Sequence, residues 1–315
     1  MDQLRAMRVF SRVIDAGGFA KAANALDIAP AVATRLVAEL EEHLGARLIN
    51  RTTRRLALTD VGEEYLERVR NILSEVDDAD AVAGIATAEA RGRLCVLAPP
   101  GFTVHQLTKH LPRFRAMHPK VSLELTVLPS VETPDENHDL TIIVQRAKPI
   151  EGAFIARRIA TSEVVLCATP EYLDQHGRPR HPRDLANHDT LMPMPPSEQR
   201  ELSFTPAWGG GDPELVELKA LPPLMTTHID TLYAAALAGL GIAGLPSFMA
   251  EDALMEQALE RVLPQWHMRT VTLFAAMPTR KHVPMRTRAF VDFLLATFGQ
   301  NQRDPWLAAA GCESC

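Results

Sequence analysis

The sequence is poor in the residues that mark several large classes of protein. It has four cysteines in 315 residues, too few and too scattered for the disulfide framework of a small secreted domain. Aromatic residues make up 5% of the chain, so aliphatic side chains must fill most of the core. No stretch approaches the ~20 apolar residues of a membrane span, and the first residues lack the features of a secretory signal. These absences predict a cytoplasmic protein with no membrane partner.

Motifs for catalysis and cofactor binding are also missing. There is no Walker loop, no GxSxG motif and no HExxH pair among the eleven histidines. Cys312 and Cys315 form one CxxC pair, which is a weak zinc signal without a second pair or neighbouring histidines. Cys95 and Cys167 fall in apolar, strand-like runs and are interpreted as buried, inert thiols. The sequence predicts no enzyme, no cofactor and no metal site.

Charge is distributed unevenly along the chain. The net charge of -6 argues against nucleic-acid binding when averaged over the whole molecule. Residues 1–60, however, carry nine Arg and Lys against seven Asp and Glu, and residues 46–59 hold four arginines and no acid. Residues 61–90 then carry eight acids against two arginines. A local basic block on an otherwise acidic chain is typical of a nucleic-acid footprint.

The first sixty residues have the pattern of a helix-turn-helix. Apolar residues at helical spacing predict a first helix that ends near Gly17, a short second helix from Phe19, and a third helix from Pro30 to about Leu44. Gly45 supplies a left-handed stop after the third helix. Small residues at the start of this helix suit entry into a major groove about 12 Å wide.

The segment that follows predicts a β-hairpin wing. Residues 47–59 have apolar ends and a polar, cationic middle, whose arginines and threonine hydroxyls suit phosphates beside the groove. The alternative is a solvated basic hairpin without a partner, which the preceding helix-turn-helix disfavours. The residues that we expect to contact DNA are Pro30, Ala31, Val32, Thr34, Arg35, Arg47, Arg51, Thr53, Arg54 and Arg55.

Residues 61–90 predict a long helix with a narrow apolar stripe and acids on its other faces, as in a coiled-coil seam. We interpret this helix as a dimerisation element that places two recognition helices on one duplex. The alternative is a helix that packs on the C-terminal part of its own chain. The predicted dimer contacts are Tyr65, Val69, Ile72, Val76, Ala79 and Ala83.

A set of residues in the first 62 positions has a characteristic order and spacing. These are Phe10, Gly18-Phe19, Ala22-Ala23, Leu26, Pro30, Thr34-Arg35, Leu40-Glu41, Leu44-Gly45, Leu48, Asn50-Arg51-Thr52, Leu58-Thr59 and Gly62. In this arrangement the chain resembles the LysR-type transcriptional regulators. The resemblance continues through residues 167–179 and 238–246 and so covers nearly the whole chain.

Three positions depart from the family pattern. Members of the family often carry serine where this chain has Gly18, Ala29 and Ala31. The second and third helices therefore lack side-chain caps, which contribute about 1 kcal/mol each. We expect the DNA contacts to shift toward backbone amides, Thr34, Arg35 and the wing arginines.

From residue 91 onward, strand-like runs alternate with helical ones, which predicts an α/β fold with mainly parallel sheets. The resemblance implies a two-lobed sensor domain, like that of periplasmic solute-binding proteins, with a ligand in the cleft. The predicted domains are a winged helix-turn-helix (1–60), a linker and dimerisation helix (61–90), an effector-binding regulatory domain (91–300, with lobes 91–161 plus 267–300, and 162–266) and a disordered tail (301–315).

Ligands in such folds lie beyond the carboxyl ends of strands, beside helix N-termini. Three loops fit this rule, and free N–H groups there suit an anion, so we expect an effector that carries a carboxylate. At each loop the alternative is a capped helix end without a ligand. The predicted effector contacts are Pro100, Gly101, Phe102, Thr103, Gln145, Thr226, Thr227 and His228. Residues 129–138 replace a helix that is usual in the family, and their two prolines and few apolar residues predict a short or broken one.

The sequence thus predicts a DNA-binding transcriptional regulator that responds to a small molecule and forms a homodimer or homotetramer. Its expected partners are double-stranded promoter or operator DNA, the effector and RNA polymerase. The alternative is a small-molecule-binding protein or enzyme of the solute-binding type with a vestigial N-terminal domain. A third interpretation is a chromosomal protein that binds all duplexes alike.

Overall fold

The computed structural model describes residues 2–52, 55–83, 89–129, 131–145, 154–193, 201–207, 212–217, 221–278, 283–299 and 304–312. The chain forms two compact units, Met1–Glu89 and Ala90–Cys315. Within the described ranges, no helix combines the length and the apolar character that a membrane span needs.

The N-terminal unit is a winged helix-turn-helix. Its elements are α1 (Gln3–Asp15), α2 (Phe19–Ala25), α3 (Pro30–Leu44), β1 (Ile49–Thr52), β2 (Arg55–Leu58) and α4 (Asp60–Ala83). The strands β1 and β2 pair antiparallel, which confirms the predicted hairpin. Phe10, Leu40 and Val69, from three different helices, are all 0% exposed at the centre of this unit.

Helix ends in this unit follow the predicted signals. Gly45 ends α3 with φ of 65°, the left-handed conformation that favours glycine, and its N–H bonds back to Glu42 O. The N-cap residues of α2 and α3 are Gly18 and Ala29, and neither provides a side-chain hydrogen bond, as expected from the missing serines. A cap is present on α1, where Asp2 accepts a hydrogen bond from Arg5 N.

The C-terminal unit alternates strands and helices along the chain. Its elements are β3 (Gly92–Ala98), α5 (Pro100–Phe102), a π-helical turn (Thr103–Leu107), α6 (Thr108–Met117), β4 (Val121–Val127), β5 (Leu140–Gln145), β6 (Phe154–Ala168), α7 (Pro170–His176), a 3-10 turn (Pro182–Asn187), β7 (Thr190–Pro193), β8 (Glu201–Pro206), β9 (Glu214–Glu217), β10 (Met225–Thr226), α8 (Ile229–Leu237), β11 (Ile242–Pro246), α9 (Ser247–Met255), β12 (Glu260–Val262), β13 (Trp266–His267), β14 (Arg269–Pro278), α10 (Met285–Phe298) and α11 (Pro305–Ala309).

One sheet runs through both lobes. In the described part of the chain its order is β10-β7-β11-β6-β14-β5-β3-β4, with β12 also paired to β6. The first lobe is built on β3, β4, β5 and most of β14, and the second on β7, β10, β11 and β12. A separate small sheet, β13-β8-β9, adds to the second lobe. Residues 131–139 contain no helix, where the composition predicted a short or broken one.

The expectation of mainly parallel pairing is wrong. The outer pairs are parallel: β3 with β4 and β5, and β7 with β10 and β11. The central pairs are antiparallel, since β6 pairs with β14, β11 and β12, and β14 pairs with β5. The reason is topological. The chain leaves the first lobe along β6 and returns along β14, so these two long strands run in opposite directions.

The tail also differs from its prediction. Residues 304–312 are ordered, with Trp306 and Leu307 each 2% exposed, so the expected disorder is wrong for this segment. Asp304 caps α11 by accepting hydrogen bonds from the backbone N–H groups of Trp306 and Leu307, and Pro305 occupies the first helical position. Two large apolar residues directly after a helix-start signal were the cue for a docked helix.

Candidate nucleic-acid interface and interlobe cleft

The start of α3 presents a row of exposed side chains. Pro30, Ala31, Thr34 and Arg35 are all exposed and share one helical face, because they lie one turn apart. The Thr34 hydroxyl donates to Pro30 O at 3.0 Å, which leaves its oxygen lone pairs and methyl group outward. The side chain of Arg35 is 69% exposed, and its Nε lies 3.5 Å from Glu39 Oε1. Val32, also predicted to contact DNA, is half-buried and packs against the core.

A buried acid holds the wing against α3. Glu41 is 5% exposed, and its Oε1 accepts hydrogen bonds from the backbone N–H groups of Leu48 (2.9 Å) and Ile49 (3.1 Å). Its Oε2 accepts from Arg47 Nη1 at 3.2 Å. One carboxylate therefore binds the recognition helix to the first strand of the hairpin. This role of Glu41 was not predicted, although an acid on the buried face of an amphipathic helix was the available signal.

The first turn of α4 packs tightly on the same strand. The Thr59 hydroxyl donates to Arg47 O at 2.7 Å and accepts from Gly62 N at 2.9 Å. A Cβ at Gly62 would overlap the carbonyl group of Leu48, so only glycine fits this approach. The wing is thus fixed from both sides, by Glu41 of α3 and by the start of α4.

The structure describes the side chain of only one of the four wing arginines, Arg47. The Arg47 side chain is 70% exposed while it pairs with Glu41. Thr53 and Arg54 lie outside the described residues, and of Arg51 and Arg55 only the backbone is described, within β1 and β2. Their contacts with DNA stay predictions.

The predicted dimer stripe on α4 is divided between two environments. Val69 is 0% exposed, and Tyr65 packs in the same core with its ring 6.0 Å from that of Phe10. These two residues face their own domain, so their assignment to a dimer seam is wrong. The reason is that α1 covers the first turns of α4 and takes up the apolar stripe there. Ile72 is 40% exposed and Val76 is half-buried, whereas the side chains of Ala79 and Ala83 are not described.

Two of the three predicted effector loops meet in the C-terminal unit. A Cβ at Gly101, in α5, would lie 2.9 Å from Met249 Sδ and 3.5 Å from Ile229 Cγ2, at the start of α8. His105 Nε2 lies 3.1 Å from Asp230 Oδ1, across the two lobes. This pair was not predicted, because nothing in the local sequence signals a contact between residues 125 positions apart.

Side chains around this contact are partly polar. The His105 ring packs edge-on against Tyr233 at 4.7 Å, and His228 Nε2 lies 3.8 Å from Asp230 Oδ2. Thr227 and His228 are exposed, and Thr226 is half-buried with its hydroxyl accepting from His228 N.

The remaining predicted effector residues vary in exposure. Pro100 and Gln145 are half-buried, and Gln145 ends β5 opposite Thr272. Thr103 is 5% exposed, and its hydroxyl donates to Pro99 O. Phe102 is 0% exposed and lies among aromatic rings in the core, so its side chain belongs to the core and not to the cleft surface.

The described cysteines have buried or half-buried positions. Burial raises the pKa of the Cys167 thiol to about 12, and burial also raises the pKa of half-buried Cys95. Both lie in strands, β6 and β3, as predicted. Among the described residues, no group of three or more His, Cys, Asp or Glu is arranged to hold a metal ion.

The comparison with known families agrees with both units. Residues 4–63 match the bacterial regulatory helix-turn-helix protein of the lysR family, and residues 87–299 match the LysR substrate binding domain. The chain belongs to the LysR family of transcriptional regulators. The exposed face of α3 is therefore on the DNA-binding domain of a LysR-type regulator, and the His105–Asp230 contact is in its substrate-binding domain.

Relatives match along almost the whole chain. An uncharacterized HTH-type transcriptional regulator of Haemophilus influenzae is 31% identical, covering 91% of this chain and 97% of that protein. An HTH-type transcriptional repressor of Pseudomonas aeruginosa is 31% identical, over 96% and 94%. The solved structure of CrgA, a LysR-type transcriptional regulator from Neisseria meningitidis, has 29% identity and a TM-score of 0.58, covering 94% of this chain and 99% of that one.

Proposed function

We propose that this LysR-type regulator binds promoter or operator DNA through α3 and the wing, and that a small molecule between its lobes changes that binding. The observation that carries the proposal is the exposed row of Pro30, Ala31, Thr34 and Arg35 beside a wing anchored by Glu41. Threonine and arginine are side chains suited to base edges and phosphates in the major groove. A regulator of promoters works where the chromosome lies, in the cytoplasm.

Each part of the chain has its own role in this function. Residues 1–60 bind DNA, residues 61–90 form the contact between two copies of the chain, and residues 91–300 bind the effector. A homodimer places two recognition helices on one duplex, at least one helical turn apart, and a homotetramer repeats that arrangement. On α4 the candidate contacts with a second copy are Ile72, Val76, Ala79 and Ala83, since α1 already covers Tyr65 and Val69.

We infer an effector that carries a carboxylate. The N-terminus of α8 has a partial positive charge, and the exposed Thr227 and His228 stand immediately before it. Asp230 would repel an anion in isolation, but its Oδ1 lies 3.1 Å from His105 Nε2, within hydrogen-bond distance of that ring nitrogen. The effector acts only if it binds one arrangement of the regulator more tightly than another, which alters DNA geometry or a contact with RNA polymerase.

A gel-shift assay with the full-length protein tests the proposal. Duplex from the promoter beside its own gene is compared with random duplex at one moderate salt concentration, with and without a panel of small carboxylates. We expect preferential binding to the promoter and a changed shift with one of the acids. Equal binding to every duplex would instead indicate a chromosomal protein. No binding to any duplex, with ligand binding retained, would indicate a solute-binding protein or enzyme.

A further inference from the structure

The two lobes are joined by two covalent crossings. The strand β6 passes from the first lobe to the second, and β14 returns beside it, with Ser162 paired to Val271 and Val164 to Arg269. A pair of adjacent strands acts as a hinge unless a further contact restrains it. The C-terminal segment 304–312 supplies such a contact, because it follows α10 of the first lobe and docks beside the crossing.

Asp304 binds the crossing directly. One oxygen, Oδ2, accepts from Glu163 N in β6 (2.6 Å) and from the hydroxyl of Ser247 at the start of α9 (2.5 Å). Ser247 Oγ is in turn 2.7 Å from Ser162 Oγ, and both serines are 0% exposed. The other oxygen caps α11. One carboxylate therefore links the tail helix α11, the crossing strand β6 and the first turn of α9 in the second lobe.

Trp306 lies between the lobes. Its ring is 5.9 Å from Phe298 and 6.5 Å from Phe102, both of the first lobe, and 5.7 Å from Phe248 of α9. Phe102 is the residue next to Gly101, where the two predicted effector loops meet. The Trp306 ring therefore packs on the residue that follows Gly101 in α5.

The rest of the segment is anchored on the second lobe. Leu307 packs with Cys167, Ala250 and Leu254, and Cys312 O accepts a hydrogen bond from Arg261 Nη1 of β12 at 3.0 Å. The segment thus contacts the first lobe through Trp306 and the second lobe through Asp304, Leu307 and Cys312.

We propose that residues 304–312 are a strap that restrains the hinge between the lobes and, through the buried Phe102 ring, positions the neighbouring Gly101 at the effector cleft. Asp304 and Trp306 are its positioning residues. The strap is a property of the C-terminal unit alone, so it does not depend on DNA binding or on the chemical class of the effector.

Hydrogen–deuterium exchange of the full-length protein, without added ligand, tests the strap. Trp306→Ala should accelerate exchange of the crossing amides, residues 161–164 and 269–272, by about tenfold or more through local opening. Exchange in β4 and in the helices α1, α2 and α3 should stay as in the wild type. The matched control is Phe204→Ala, which removes a ring that is 1% exposed in a core cluster of the second lobe that contains neither Trp306 nor Leu307. It should leave the crossing amides unchanged.

Unchanged exchange at the crossing in Trp306→Ala, or an equal rise there in Phe204→Ala, would overturn the strap. A second variant, Asp304→Asn, keeps the side-chain shape and replaces one acceptor oxygen by a donor. It should raise exchange of the same amides by a smaller factor. If Trp306→Ala does not fold, this variant decides, and wild-type exchange at the crossing in Asp304→Asn refutes the proposal.

Discussion

The two candidate sites are assembled over very different distances along the chain. In the N-terminal unit, Glu41 bonds to residues seven and eight positions away, and Thr59 reaches Arg47 twelve positions back. In the C-terminal unit, His105 meets Asp230 across 125 positions. The first site is a rigid product of neighbouring sequence, whereas the second depends on how two lobes come together. Substitutions in local packing should therefore impair DNA binding, and substitutions at interlobe contacts should impair the effector cleft.

The largest effect is expected where backbone meets backbone. Gly62→Ala puts a methyl group onto the Leu48 carbonyl. This group is backbone, so it cannot move aside as the end of a flexible side chain could. We expect the N-terminal unit to lose about 3 kcal/mol of stability and DNA binding to disappear. Denaturant unfolding and gel shift measure both. Gly18→Ala is the control, since a Cβ there meets nothing within 4 Å. Near-wild-type stability of Gly62→Ala would show that the close approach is not required.

Removing the acid that anchors the wing should lower the stability of the N-terminal unit by a somewhat smaller amount. Glu41→Ala leaves two buried N–H groups without their acceptor, which predicts a loss of about 2 kcal/mol and weaker DNA binding. Glu41→Gln keeps one acceptor oxygen, so its stability should lie between those of the wild type and Glu41→Ala. The exposed neighbour Glu42 provides the control, Glu42→Ala. Equal effects of the two alanine variants would contradict the anchoring role.

These local features explain what the sequence could predict. The helices α1, α2 and α3, the hairpin and the stop at Gly45 follow from periodicity and turn chemistry within a few residues. The dimer stripe was wrong at Tyr65 and Val69 because α1 competes for the same apolar face. The length of β6 does not follow from local pattern, because the first half of this strand is largely exposed and carries Arg157 and Arg158. The His105–Asp230 pair and the strap depend on the crossing of β6 and β14, which no local pattern encodes.

A change in the cleft should separate the two sites. Asp230→Asn weakens the contact with His105, and both side chains are partly exposed, at 21% and 14%, so its effect on stability should stay within about 1 kcal/mol. We expect DNA affinity without effector to remain within about twofold and the response to effector to change. Titrating the effector into a promoter complex measures this. A loss of DNA affinity equal to that of Glu41→Ala would mean that the sites are not separable in this way.

The smallest expected effect is a pH dependence confined to the C-terminal unit. Burial lowers the pKa of His188, so the folded state holds this histidine neutral. The unfolded chain takes up a proton first as the pH falls below about 6.5, and stability should decline from there. His188→Gln should make the thermal midpoint of this unit less sensitive between pH 7.5 and pH 5.5. The same pH sensitivity in the variant would remove His188 as the cause.

The central claim, that the exposed face of α3 reads DNA sequence, is tested by one ratio. The affinity of the full-length protein for its own promoter is divided by its affinity for random duplex, for the wild type, Arg35→Ala and Arg47→Ala. We expect a wild-type ratio of about a thousandfold or more, lowered about tenfold or more in Arg35→Ala. Arg47→Ala, in the wing, should weaken both affinities alike and leave the ratio intact. A wild-type ratio near one, or an unchanged ratio in Arg35→Ala, would contradict the account.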